Sequence, residues 1–225
     1  MQGKIFVIEG TDGSGKQTQL KRLQERFEKE GIDYKTVSFP NYDSPSSSLV
    51  KMYLAGDFGK DPTSVNAYIA STFYAADRYA TFKQGYFDYY NNGGVILADR
   101  YTTANMVHQA SKIHDENERD KFLDWLFDFE FNLYGLPHPT KVFFLNMPPE
   151  ASQRLMKDRA NKITNESKKD IHESNPEYLK QCYKATCSLV DKYDWHEVKC
   201  VDKDDNIRTI DDIHEEIFNV VKEFI

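Results

Sequence analysis

Short apolar and β-branched runs recur along the chain at Ile5 to Ile8, Tyr34 to Phe39, Val95 to Ala98, Val142 to Leu145 and Val198 to Val201, separated by segments long enough for helices. Strand alternating with helix predicts a parallel sheet with helices on its faces. Leu20, Leu23 and Phe27 recur at helical spacing until Gly31, and Ile210, Ile213, Ile217, Val221 and Phe224 form a second stripe near the C-terminus. Both stripes read as helix faces turned toward the core. Between Pro62 and Tyr90 no glycine occurs until Gly85, which predicts one long helix or two closely joined. Asn91-Asn92-Gly93-Gly94 then turns the chain into the third strand.

The first strand runs directly into Gly10-Thr11-Asp12-Gly13-Ser14-Gly15-Lys16. Glycines let the backbone fold back so that successive N–H groups face one anion, the next helix adds its positive end, and Lys16 supplies a mobile cation. The sequence therefore predicts a phosphate cradle, with the N–H groups of Gly13 to Lys16 on a β-phosphate and Lys16 reaching toward the transferred group. Such loops ordinarily continue with serine or threonine, whose hydroxyl ligates Mg²⁺, but here Gln17 and Thr18 follow. Mg²⁺ can then be held through Gln17, through Thr18, or by water and Asp99 alone.

Charge and cysteine content narrow the partner. The 225 residues carry a formal net charge of -7, which argues against a nucleic-acid backbone or an acidic membrane surface and favours a small phosphorylated ligand. No apolar stretch approaches the ~20 residues of a membrane span, and Met1-Gln2-Gly3-Lys4 leads straight into a predicted strand, so one cytoplasmic domain over residues 1–225 is expected. Cys182, Cys187 and Cys200 lack the spacing of zinc or redox sites and read as reduced thiols.

Asp99-Arg100-Tyr101 closes the third strand, where open α/β folds bind ligands. A carboxylate there can hold water on Mg²⁺ and an arginine can grip a phosphate with two nitrogens, although a strand-end salt bridge would use the same residues. Tyr74 and Arg78 stand four apart on one helical face, a ring and a guanidinium suited to a base, while Phe73 or Tyr74 taken singly also suits core packing. Phe39-Pro40 ends the second strand with the same ambiguity. From Glu150 to Glu177 the basic residues Arg154, Lys157, Arg159, Lys162, Lys168 and Lys169 fit either a solvated face or a flap closing over a triphosphate.

Taken in order, Glu9 to Lys16, Phe39-Pro40, Tyr74 to Arg78, Asp99-Arg100-Tyr101 and Asp170-Ile171-His172-Glu173 resemble the thymidylate kinase family over nearly the whole chain. The resemblance implies a three-layer P-loop nucleoside monophosphate kinase fold with a central five-stranded parallel sheet, a lid at about 150–177, and a homodimer. It implies transfer of the γ-phosphate of ATP to dTMP, with Mg²⁺. Asp12 would meet the sugar 3′-hydroxyl, Phe73 or Tyr74 would stack on thymine, and Arg78 would contact the base edge. Arg100 would hold the acceptor phosphate, and Tyr101 would crowd a ribose 2′-hydroxyl. Gly13 and Ser14 align the chain with members whose catalytic arginine comes from the lid, which points to Arg159 or Arg154. The chain departs from the family at Asn41-Tyr42-Asp43, where an arginine commonly follows Phe39-Pro40, and at Ala104, where serine is frequent, leaving Asn105 and Gln109 as partners for the thymine ring. Two other readings use the same cradle: a different nucleotide or nucleoside kinase, and a nucleotide-binding protein with little catalysis. Long helices with aromatic and alanine faces, such as those expected at Pro62 to Tyr90 and Asp120 to Tyr134, could pack against a second copy, although the sequence does not locate the interface.

Overall fold

A computed structural model of the protein describes residues 2–160 and 176–225, with side chains 156–160 and 176–177 also outside the description. Five parallel strands, β1 (Lys4–Glu9), β2 (Tyr34–Ser38), β3 (Val95–Asp99), β4 (Lys141–Asn146) and β5 (His196–Lys199), form one sheet in the order β2-β3-β1-β4-β5. Nine α-helices are described: α1 (Lys16–Glu30), α2 (Ser48–Ala55), α3 (Ala67–Gly85), α4 (Phe87–Asn91), α5 (Thr102–His108), α6 (Glu116–Phe127), α7 (Pro149–Ala160), α8 (Pro176–Lys192) and α9 (Ile210–Val221).

The central strands carry unbroken apolar runs, with polar residues only at their ends, because both faces are covered. Ile5, Val7, Ile96, Ala98, Val142 and Phe144 point into one core with Phe82, Phe122, Leu126 and Leu189. The alternate residues Phe6, Ile8, Leu97, Phe143 and Leu145 point into the other, against Leu23 and Phe27 of α1 and Ile213, Ile217 and Phe218 of α9. Gly31 ends α1 in a left-handed conformation, its N–H reaching the carbonyls of Glu28 and Phe27, as the sequence predicts.

Three boundaries differ from expectation. The last strand covers His196–Lys199, two residues before the predicted run, because β4 pairs through Phe143–Asn146; Val201 instead bridges Ile207. The segment from Pro62 holds a 3-10 turn followed by two closely joined helices, α3 and α4, the second of the two expected forms, whereas α9 ends before Phe224, whose ring meets Phe6 at 6.2 Å. Helix α6 does not run evenly to Tyr134 but opens into a π-helical turn at Asp128–Leu133. Among the described residues no helix is long and apolar enough to cross a membrane.

Candidate active site

The sheet delivers its loops to one edge, where a cleft of about 440 Å³ is lined by the phosphate loop, the end of β2, α3, the end of β3 and α5. Gly13 and Gly15 take φ of 79° and 95°, which L side chains rarely adopt, and α1 starts at once on Lys16. A side-chain carbon added at Gly10 would lie 2.7 Å from Ser14 Oγ, so the loop closes only around glycine there. Lys16 Nζ donates to the carbonyls of Gly10 at 2.7 Å and Thr11 at 3.0 Å and lies 3.5 Å from Asp12. Thr11 Oγ1 and Ser14 Oγ are buried in the turn without a hydrogen-bond partner among the described residues. The turn is a positive concavity backed by the start of a helix, the arrangement that receives a phosphate.

At the end of β3 the backbone turns sharply, with Arg100 at φ 64°. A non-glycine residue held there costs of order 1–3 kcal/mol, and such outliers persist where surrounding structure fixes them. Here the turn sends neighbouring side chains opposite ways. Arg100 enters the cleft, its Nη2 donating to Asp12 Oδ1 at 2.8 Å and its Nη1 lying 3.0 Å from His108 Nε2. Burial pushes the Asp12 carboxyl up, but the charges of Arg100 and Lys16 outweigh it and hold the group at about 2. Lys16 is pushed down, first by burial and then by the Arg100 charge, against Asp12, Glu9 and Asp99. Two cations thus share one carboxylate at the mouth of the cradle.

Tyr101 goes into the core. It is fully buried, absent from the cleft lining, and donates to the Pro137 carbonyl at 3.0 Å. The expected contact with a sugar therefore has no geometric basis; the ring lies instead beside the guanidinium of Arg78, 5.7 Å from its carbon, with Phe39 at 5.4 Å. Tyr74 lines the cleft, its ring 6.3 Å from that of Tyr53, whereas Phe73 is outside the lining and packs on Phe58. Of the two aromatic candidates, only Tyr74 can meet a ligand there.

Arg78 is buried and already held. Its Nε and Nη2 donate to the two oxygens of Glu130 at 2.6 and 3.0 Å, and Thr102 Oγ1 and Asn105 Nδ2 each donate to the same carboxylate at 2.9 Å. Asn105 also donates to the Ser71 carbonyl at 3.3 Å, so its amide nitrogen is committed inside the protein. Gln109 is the opposite case: it lines the cleft, is 0% exposed, and neither Oε1 nor Nε2 has a partner among the described residues. A buried amide left unmet costs about 1–3 kcal/mol, so this one favours an occupant with a matching donor and acceptor.

The remaining predicted residues divide clearly. Phe39, Pro40, Gln17 and Thr18 line the cleft. Asp99 does too, with Oδ1 buried and unpartnered among the described residues, a carboxylate oxygen suited to a hard cation. Arg154 turns away, donating to the Asp205 carbonyl at 3.1 Å. The side chain of Arg159 and most of the expected lid, with Asp170 to Glu173, lie outside the described residues. Sequence reasoning missed Glu130, His108 and Ser152. Ser152, on α7, donates to the Asp12 carbonyl at 2.6 Å and ties the start of α7 to the phosphate loop.

The thymidylate kinase family model matches residues 8–204. The chain belongs to that family. It is 31% identical over 159 residues to the thymidylate kinase of Mycobacterium tuberculosis, covering 69% of this chain and 72% of the other. A probable thymidylate kinase of Pyrococcus abyssi is 30% identical over 161 residues, covering 72% and 73%. One from Thermococcus gammatolerans is 27% identical over 227 residues, 99% of this chain and 98% of the other. A solved thymidylate kinase from Candida albicans shares the fold, with a TM-score of 0.70 at 21% identity over 99% of this chain and 92% of that one. The family's enzymes are nucleoside monophosphate kinases, phosphotransferases, and this chain is one of them.

Proposed function

We propose that the chain transfers the γ-phosphate of ATP to dTMP, giving ADP and dTDP, as one kinase domain in which residues 150–177 act as the lid. One observation carries the reading: a single cleft is lined by Lys16 of the phosphate loop, by Arg100, and by Tyr74, Arg78 and Gln109. Those are a donor cradle, a phosphate grip and a set of groups suited to a base. In the reaction an oxygen of the dTMP phosphate attacks the γ-phosphorus, and the bond to the β–γ bridging oxygen breaks with its electrons leaving on ADP. The attacking oxygen is already anionic near neutral pH, since a second phosphate pKa lies near 6, so no side chain need remove a proton. Catalysis is then positioning and charge stabilisation.

Lys16 and the loop N–H groups of Gly13 to Lys16 hold the donor, and Arg100 holds the acceptor phosphate. Asp12, fixed between Lys16 and Arg100, faces the sugar 3′-hydroxyl. Tyr74 stacks on the base, while Arg78 and Gln109 meet its edge. Asp99 with Thr18 or Gln17 would hold Mg²⁺, which when bound neutralises phosphate charge and aligns the donor. With Arg154 turned toward Asp205, Arg159 is the better candidate for the lid cation. ATP turnover measured across dTMP, dUMP, dCMP, dGMP and dAMP tests the acceptor: kcat/KM should be highest for dTMP, and equal values would overturn the assignment.

The protein is further proposed to be a cytoplasmic homodimer. Support for pairing comes from a ladder of rings along α3, α6 and the π turn. Tyr68 meets Trp125 at 4.7 Å, Trp125 meets Phe129 at 5.0 Å, Phe129 meets Tyr134 at 4.6 Å, and Tyr134 meets Tyr79 at 5.4 Å. Ile69, on the first turn of α3, is 50% exposed. Apolar surface of this kind favours a second copy. Sedimentation of the protein should give twice the chain mass, and Ile69→Glu should shift it toward a monomer.

A further inference from the structure

Glu130 is not among the residues that line the cleft, yet it fixes one that is. Its carboxylate is wholly buried and accepts four hydrogen bonds, from Arg78 Nε and Nη2, Thr102 and Asn105. With two guanidinium nitrogens engaged, Arg78 keeps Nη1, which donates to no described residue, for an occupant of the cleft. Phe39 and Tyr101, 5.4 and 5.7 Å from the guanidinium carbon, limit its tilt. The result is a donor of fixed direction, and arginine has no accepting form.

Gln109 cannot supply that selectivity. A carboxamide turned over exchanges its donor and acceptor, so it can meet thymine at N3–H and a carbonyl, or cytosine at N3 and the amino group. Arg78 cannot turn over in this way. We infer that Glu130 is a positioning residue that sets which pyrimidine the cleft accepts, by holding Arg78 as a donor toward a base carrying a keto oxygen and against one carrying an amino group there; this rests on the assignment of Arg78 to the base edge made above. A buried ion pair is a poor source of stability compared with apolar packing. Its value here is direction.

The test compares kcat/KM for dTMP and dCMP in the full-length protein, in Glu130→Asp and in Glu130→Gln. The aspartate withdraws the carboxylate by one methylene, and the carboxamide puts a donor against a donor. Each should lower the dTMP-to-dCMP ratio about tenfold, mainly through KM, while kcat for dTMP changes little. A merely structural role would weaken both substrates alike, and an unchanged ratio in the folded variants overturns the inference. If the unaltered protein does not prefer dTMP over dCMP, the acceptor reading itself fails, which is a separate outcome.

A measurement on the unaltered protein covers variants that fail to fold. The Arg78 Nε–H resonance, assigned by its loss in Arg78→Lys, should exchange slowly with solvent in the free protein and keep that protection on adding dTMP. Protection that appears only with dTMP overturns the inference, because Glu130 would not have fixed Arg78 beforehand.

Discussion

The two ends of the cleft are built on different plans. At the phosphate end, seven consecutive residues close a turn and α1 begins within it, so backbone N–H groups and one lysine make the site. At the base end, Tyr74 and Arg78 come from α3, Phe39 from the end of β2, Asn105 and Gln109 from α5 and its cap, and Glu130 from a π turn. The first kind of site depends on local conformation. The second depends on side chains brought together by packing, with partners committed in advance, and its selectivity can change without any change to the chemistry.

Substitutions should separate the two plans. Lys16→Met should lower kcat by about a thousandfold, the scale of removing a donor aimed at developing charge, with dTMP binding by calorimetry retained. If dTMP binding is lost as well, the ends are not independent. Arg100→Met should lower kcat/KM for dTMP about a hundredfold through loss of a charge-assisted grip, with KM for ATP little altered. At the base end Gln109→Met should raise KM for dTMP about tenfold and leave kcat almost unchanged. The same variant should melt higher in the free state, since it removes a buried amide without partners; a lower melting temperature would mean that Gln109 is satisfied.

Asp12 offers a smaller, pH-dependent effect. Its carboxyl is held at about 2, below the ordinary 3.8, so its contribution to stability is complete above pH 4 and is lost as pH falls toward 2. Acid unfolding curves of Asp12→Asn should therefore be flatter than those of the unaltered protein in that window and parallel above it. Gln17→Ser should leave turnover unchanged or raise it. Gln17 is exposed on the first turn of α1, and a large loss would show that its amide has a role of its own.

This contrast also governs what can be read from the sequence. The phosphate end is legible because its parts are contiguous, and glycines spaced in this way between a strand and a lysine suit little except a turn around an anion. The central strands are legible as apolar runs covered on both faces, whereas β5, an edge strand with only Val198 buried, gives a weak signal, and the run that predicts it lies two residues late. Tyr101 misleads because adjacency to Arg100 in the chain does not mean adjacency in space when the backbone turns through φ 64° between strand and helix. Glu130 does leave a trace. Leu123, Leu126 and Glu130 share helical spacing, so a carboxylate continues the apolar face of α6 into the turn that follows and requires a buried partner. Nothing in the sequence says that the partner is Arg78, 52 residues earlier.

The π turn makes the structure sensitive to insertions and deletions. Such a turn is an α-helical turn carrying one residue more than it needs, and Leu133 within it is 71% exposed. Losing that single codon would let the helix close with ordinary spacing and draw Leu136 and Pro137 back by one position, along with the carbonyl that receives Tyr101. No residue that lines the cleft would be altered, yet the Pro137 carbonyl that holds Tyr101, the ring beside Arg78, would lose its register. On the proposed reading of Arg78, the choice of base thus depends partly on the length of the chain, at an exposed position outside the cleft lining.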